Sequence, residues 1–194
     1  MKCRTQYMDG VPEFPVWKID FATPIDSSKE FVTKFIQSRK DDSWLLLTYQ
    51  AVASDRHLWA AWIALMRRMS NQTMRSKGQD GEFLRLLAGT HHISQGFRRA
   101  GLLDGDEGCW IVQLPKNTDS NELPKINYDT SFDSAKEIAA LLDCEITSER
   151  PVPQREGLLR LGIFDNENDV YCELDDNQIE EFMIAHIHTS DING

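Results

Sequence analysis

The sequence predicts an α/β (α+β) fold, a single mixed β-sheet flanked by helices, and three observations carry that prediction. Apolar runs of strand length alternate with helical stripes in the first half of the chain. Two serine-led capping boxes, Ser27 to Glu30 and Ser134 to Glu137, each precede apolar residues at helical spacing. Late in the chain two strand-like segments follow one another, which a purely parallel, doubly wound sheet would not provide. At 194 residues, 41% of them hydrophobic and including five Trp and nine Phe, one domain spanning 1–194 buries a sizeable core without disulfide or metal staples.

In chain order, Trp17, Ile19 and Phe21 alternate with Lys18 and Asp20 as the first strand. Ser27 then caps a helix carrying Phe31, Phe35 and Ile36 and ending near Arg39. Residues 44–53 read as a buried strand. Ser54 or Asp55 caps a long helix with the stripe Leu58, Trp62, Leu65, Met66 and Met69, and Arg67 and Arg68 lie largely off that stripe. After a polar loop, Glu82 to Gly89 reads as a short strand. His91 to Gly101 reads as a helix, with Gly101 ending it in the left-handed conformation. Residues 109–115 form another buried strand, 115–131 a long polar flexible loop, and Ser134 starts a helix presenting Ile138, Leu141 and Leu142. Residues 157–164 and 169–174 read as strands around a turn at 165–168, and Asp175 caps a last helix carrying Ile179, Phe182, Met183 and His186.

The net charge of −10 argues against a generic nucleic-acid binder, but it conceals an asymmetry. Between Arg56 and Ala100 there are eight basic side chains, Arg56, Arg67, Arg68, Arg75, Lys77, Arg85, Arg98 and Arg99, against Asp80 and Glu82. Residues 101–194 hold six basic side chains against twenty-one acidic ones. A basic middle segment suits phosphate, and it equally suits a merely solvated surface. Within it, the tight turn at Gly89-Thr90, the amides that begin the next helix, and Arg98 and Arg99 suit single-stranded RNA.

The motifs of several enzyme classes are missing. There is no phosphate-binding GxxxxGK[ST] loop, no GxGxxG after a strand and no GxSxG. His91-His92 and the His186, His188 pair lack a third ligand at zinc spacing, so no metal or other cofactor is assigned. Cys3, Cys109, Cys144 and Cys172 are widely separated, without a CxxC pair, which fits buried thiols in a reducing, cytoplasmic setting. With neither a signal-like start nor a run of 18 apolar residues, export and membrane insertion are not expected.

The stretch from about Ser54 to Val112 resembles the small kinase-binding subunit of the KEOPS complex, the PRPK-binding protein family. The resemblance is carried by DRHLWAAWIALMRRM and by MRSKGQDGEFLRLLAGTHHISQGFRRAGLLDGDEGCWIV. Within these it rests on Glu82-Phe83-Leu84, Gly89-Thr90, Ile93-Ser94 and Phe97 through Gly101-Leu102. It implies a non-catalytic subunit, not an enzyme. Such a subunit binds the kinase/ATPase subunit of KEOPS and supports threonylcarbamoyl transfer to adenosine beside the anticodon of tRNA. Archaeal members of the family also look like proteins that hold the single-stranded 3′ CCA end of tRNA. The basic segment then supplies Arg67, Arg68, Arg75, Lys77, Thr90, His91, His92, Arg98 and Arg99 as RNA-binding candidates, and Ile179, Phe182 and Met183 are partner-binding candidates. The long polar loop and the acidic carboxyl end depart from the family pattern. Two other readings stay open at this stage: a stand-alone enzyme with His91 or His92 as acid or base, and a protein-only scaffold without RNA binding.

Overall fold

A computed structural model describes residues 10–116, 123–165 and 174–192, the last three without their side chains. Four strands, β1 (Val16–Asp20), β2 (Trp44–Thr48), β3 (Gly108–Gln113) and β4 (Glu145–Thr147), form one sheet in the order β2-β3-β1-β4. Every described pairing is antiparallel, with Val16 opposite Val112, Leu45 opposite Val112 and Ile19 opposite Ile146. The helices are α1 (Ser28–Ser38), α2 (Asp55–Ser70), α3 (Gln79–Leu87), α4 (Ile93–Ala100), α5 (Tyr128–Leu141), α6 (Arg155–Arg160) and α7 (Asp176–Ile192), with a 3-10 turn at Tyr49–Ala51. The expected single sheet with flanking helices is what the chain forms.

Period-two alternation assigns each strand residue to one of two cores. Val16, Leu45, Leu47, Trp110 and Val112 face a core shared with Leu58, Trp62 and Leu65 of α2, Phe83 and Leu87 of α3, Leu158 of α6, and Ile179 and Met183 of α7. Trp17, Ile19, Trp44, Leu46, Cys109 and Ile111 face a second core with Phe35 of α1 and Ala135, Ile138 and Ala139 of α5. Buried polar contacts fasten the edges. The Asp55 carboxylate accepts from the Phe14 amide at 2.7 Å and pairs with Arg150, whose guanidinium also donates to the Val16 and Phe14 carbonyls at 3.0 Å each.

Several local signals act as expected. The Ser27 hydroxyl accepts from the Glu30 amide and Ser54 from the His57 amide. Asp175 and Gln178 cap reciprocally, each side chain accepting from the other's amide at 2.9 and 3.0 Å. Others are corrected. The run expected as a strand from Glu82 to Gly89 lies mostly in α3, because Phe83, Leu84, Leu86 and Leu87 are all buried and a helix buried all round carries no stripe to betray its period. The expected strand over 157–164 is α6 and the turn after it. There Gly157 packs so closely on the Gln50 carbonyl that a Cβ would meet the oxygen at 2.2 Å.

The expected flexible loop 115–131 is shortened, since Asn127 caps α5 through the Thr130 amide, and the second capping box falls inside that helix. Gly101 is extended, not left-handed, and the three-residue strand β4 was not anticipated. Of the expected strand 169–174 only Leu174 is described, and it lies in no strand; most of the expected turn also lies outside the described residues.

His57 of α2 is buried and His186 of α7 is half-buried where α7 packs on α2 and α3. Burial first, and then the charge of His186, push His57 down to about 3. Unfolded, this ring takes up a proton below about pH 6.5, whereas folded it does not until far lower. Stability is therefore full above that pH and is lost as pH falls, with His57 alone removing about 2 kcal/mol by about pH 5. Urea unfolding followed between neutral pH and about pH 5 checks this, and a flat profile over that range rejects it.

Candidate nucleic-acid interface

The basic middle segment folds around one carboxylate. Glu82, on the first turn of α3 and fully buried, accepts the Arg75 amide at 3.0 Å, the Ser76 amide at 2.9 Å and Arg85 Nε at 3.3 Å through one oxygen. Its other oxygen pairs with the Arg85 fork and lies 3.6 Å from Arg68 Nε. Burial alone would raise the pKa of Glu82. The Arg85 hydrogen bond, the two amides and the Arg85 charge outweigh it and hold the carboxyl below its ordinary value. Arg85, itself buried, spends its remaining arm on the Thr90 carbonyl at 2.7 Å. One ion pair thus fixes both the loop bearing Arg75 and Lys77 and the turn bearing His91 and His92.

The turn needs Gly89. Its φ of +54° is left-handed, and a Cβ there would meet the His186 ring at 2.4 to 2.6 Å. His186 Nε2 lies 3.1 Å from the Ala88 carbonyl and 3.2 Å from that of Leu161. Past the turn, Thr90 accepts the His92 amide at 3.2 Å, and Gly96 lets α4 close on α3, since a Cβ would stand 3.1 Å from Arg85 Cα.

Among the sequence candidates, Arg68, Arg75, His91 and His92 converge with Arg85. Partial burial first, and then Arg75, Arg85, His92 and Arg68, push the His91 pKa down. Both His91 ring nitrogens are shielded from solvent without a hydrogen-bond partner among the described residues. Its neighbours are cations, not the carboxylate that would orient a general base. Arg67, Lys77 and Arg98 are exposed, while Thr90 is buried in the turn. Arg99 belongs elsewhere: it donates to the Ala88 carbonyl at 3.1 Å and lies against Gly162, so its role is to tie α4 to the segment after α6. Arg85 was not singled out from the sequence, although its spacing three residues after Glu82 was the available signal.

Of the partner candidates, Ile179 and Met183 are buried in the core on α7. Phe182 is 42% exposed, with its edge on Phe164 at 5.6 Å between ring centroids. Among the described residues no cluster of three or more His, Cys, Asp or Glu converges, and no helix is long and apolar enough to cross a membrane.

Removing Glu82 strands the buried Arg85 charge. Glu82→Ala is expected to cost about 3–5 kcal/mol in denaturant unfolding and to speed hydrogen exchange at the Arg75 and Ser76 amides. Unchanged exchange at those two amides would show that the loop is held by something else.

The family model for kinase binding protein CGI-121 matches residues 23–147, well over half of the chain, from just before α1 through β4 and including the whole cationic cluster. No curated protein matches the chain. On the extent of that family match, which encloses the sheet strands β2 to β4 and the Glu82-centred face alike, the chain belongs to the CGI-121 family of kinase-binding proteins.

Proposed function

We propose that this protein is a non-catalytic, cytoplasmic subunit of the KEOPS complex, which transfers threonylcarbamoyl to adenosine of tRNA. In this reading it binds and supports the kinase/ATPase subunit and holds tRNA, at the 3′ CCA end, on the face built around Glu82. Membership of a kinase-binding family supports the protein partner. The observation that carries the RNA half is the gathering of Arg68, Arg75 and His92 about His91 at one turn, above an Arg85 whose charge Glu82 offsets, in a chain whose net charge is −10. A surface so placed concentrates positive potential where phosphate is to be met and leaves the rest of the molecule repelling it. Arg75 and Lys77 are exposed on a loop whose backbone is pinned from beneath, so their charge is presented without the loop having to order on binding.

The test is binding of the purified chain to tRNA with and without its CCA end, across a salt series, and its co-purification with the KEOPS kinase subunit. Arg75→Glu with Lys77→Glu is the informative variant, because both residues are exposed, whereas Arg99 is tied to the Ala88 carbonyl. Trimming and charge reversal are each expected to weaken binding by roughly tenfold or more, and the variant to flatten the salt dependence by about 0.7 per lost single-strand phosphate contact. Kinase co-purification should survive both changes. Equal, negligible binding by all forms removes tRNA from the reading and leaves a protein-only adaptor.

A further inference from the structure

One surface feature lies outside the cationic cluster yet touches it. Between α1 and α4 is a cleft of about 100 Å³, lined by Val32, Phe35, Ile36, Leu84, Phe97 and Leu102, with Leu45 and Leu46 of β2 also in its wall. The Arg39–Asp80 ion pair, at 2.6 Å, also borders it. Leu45, Leu46, Phe35 and Leu84 are buried, but Ile36 is 52% and Phe97 47% exposed, so two large apolar side chains border a concavity that no described residue fills. A binding pocket for a drug-sized ligand starts at about 300 Å³, so this cleft suits one flat ring and not a helix or a folded segment.

Its position relative to the cations supplies the rest. Ile93, one helical turn before Phe97, rests against Gly81 beside Ser76, so closely that a Cβ on Gly81 would meet Ser76 Oγ at 2.4 Å and Ile93 Cδ1 at 3.2 Å. The Ser76 amide shares its Glu82 oxygen with the Arg75 amide. Ser76 and Ile93 thus join the loop that bears Arg75 to α4, and Phe97 stands one turn, about 5.4 Å, farther along that helix. Cations beside an exposed aromatic ring are what a single strand requires, phosphate on one side and a base face on the other.

We infer that the α1–α4 cleft receives one unpaired nucleobase of a single-stranded RNA, stacked on Phe97, while the adjoining phosphate lies toward Arg75. This rests on the RNA half of the function proposed above and names a second contact within it. Stacking is indifferent to base identity because every base has a π face, so the site selects an unpaired base and not a particular letter.

The experiment uses the full chain and a short unstructured RNA carrying 2-aminopurine at its 5′ end, its middle or its 3′ end, with affinity and probe fluorescence read together. Wild type is expected to change the fluorescence at one of these positions. Phe97→Ala is expected to weaken binding about 5- to 100-fold and to abolish that change, with the slope of affinity against salt retained, since no cation is lost. Ile36→Trp, at an exposed position bordering the cleft, is expected to do the same by filling it. Wild-type affinity in both variants, with the fluorescence change intact, overturns the cleft while leaving the RNA reading standing. Loss of kinase co-purification with RNA binding untouched also overturns it, and assigns the cleft to protein docking. No RNA binding by any form removes both readings.

Discussion

A buried carboxylate with five nitrogen neighbours is the constraint on which the cationic face depends. Glu82 has no access to water, so its charge must be satisfied from within, and the groups that satisfy it are the backbone of one surface loop and two arginines. Arg85 in turn, equally buried, must place its last donors, and it does so on the carbonyl of Thr90. Two buried charges that need partners thus specify the position of two surface segments. A solvated loop of this composition would otherwise sample many conformations, at a cost of about 1–2 kcal/mol per residue to order.

The sheet makes this economical by keeping two cores apart. Successive residues of β1, β2 and β3 point to opposite sides, so α1 and α5 pack on one core while α2, α3, α6 and α7 pack on the other. The cationic loop and turn are attached to helices of the second group. Helix α4 bridges the layers: Gly96 fits it against α3, and Phe97 and Leu102 extend over β2 toward α1. The cleft lies where the eight-residue α4 and the residues just after it face α1, with Ile36 exposed at its border.

How much of this was legible in the sequence depended on whether a feature was local. Ser27, Ser54 and Asp175 announced helix starts because capping is settled within four residues. The Ser134 box obeyed the same rule and failed, because Asn127 offered an earlier cap and the helix ran through. Phe83 to Leu87 was misread for a related reason: a segment buried on every side has no polar face, and the period that separates helix from strand is erased. The basic segment was legible as a count of charges, of which Arg68, Arg75 and Arg85 gather at one turn. The departure of Arg99 toward Ala88, and the exposure of Phe97 one turn from Ile93, are consequences of how α4 is rotated against α3, and no residue spacing encodes that rotation. Ile179 and Met183 show the converse limit, since an apolar helical stripe reads alike whether it meets a partner or its own core.

Position 89 has an implication for how such a chain can change over generations. Any side chain there faces two independent barriers, a left-handed backbone that most residues resist and the ring of His186 occupying the space a Cβ would take. A tolerant residue such as Asn relieves only the first barrier, and a smaller side chain at 186 relieves only the second. Each step taken alone leaves the protein with a strained or hollowed joint between the cationic turn and α7, so the two positions form a lock that opens only to paired substitution. The turn and the final helix, nearly a hundred residues apart in the chain, are therefore bound to a shared mutational history.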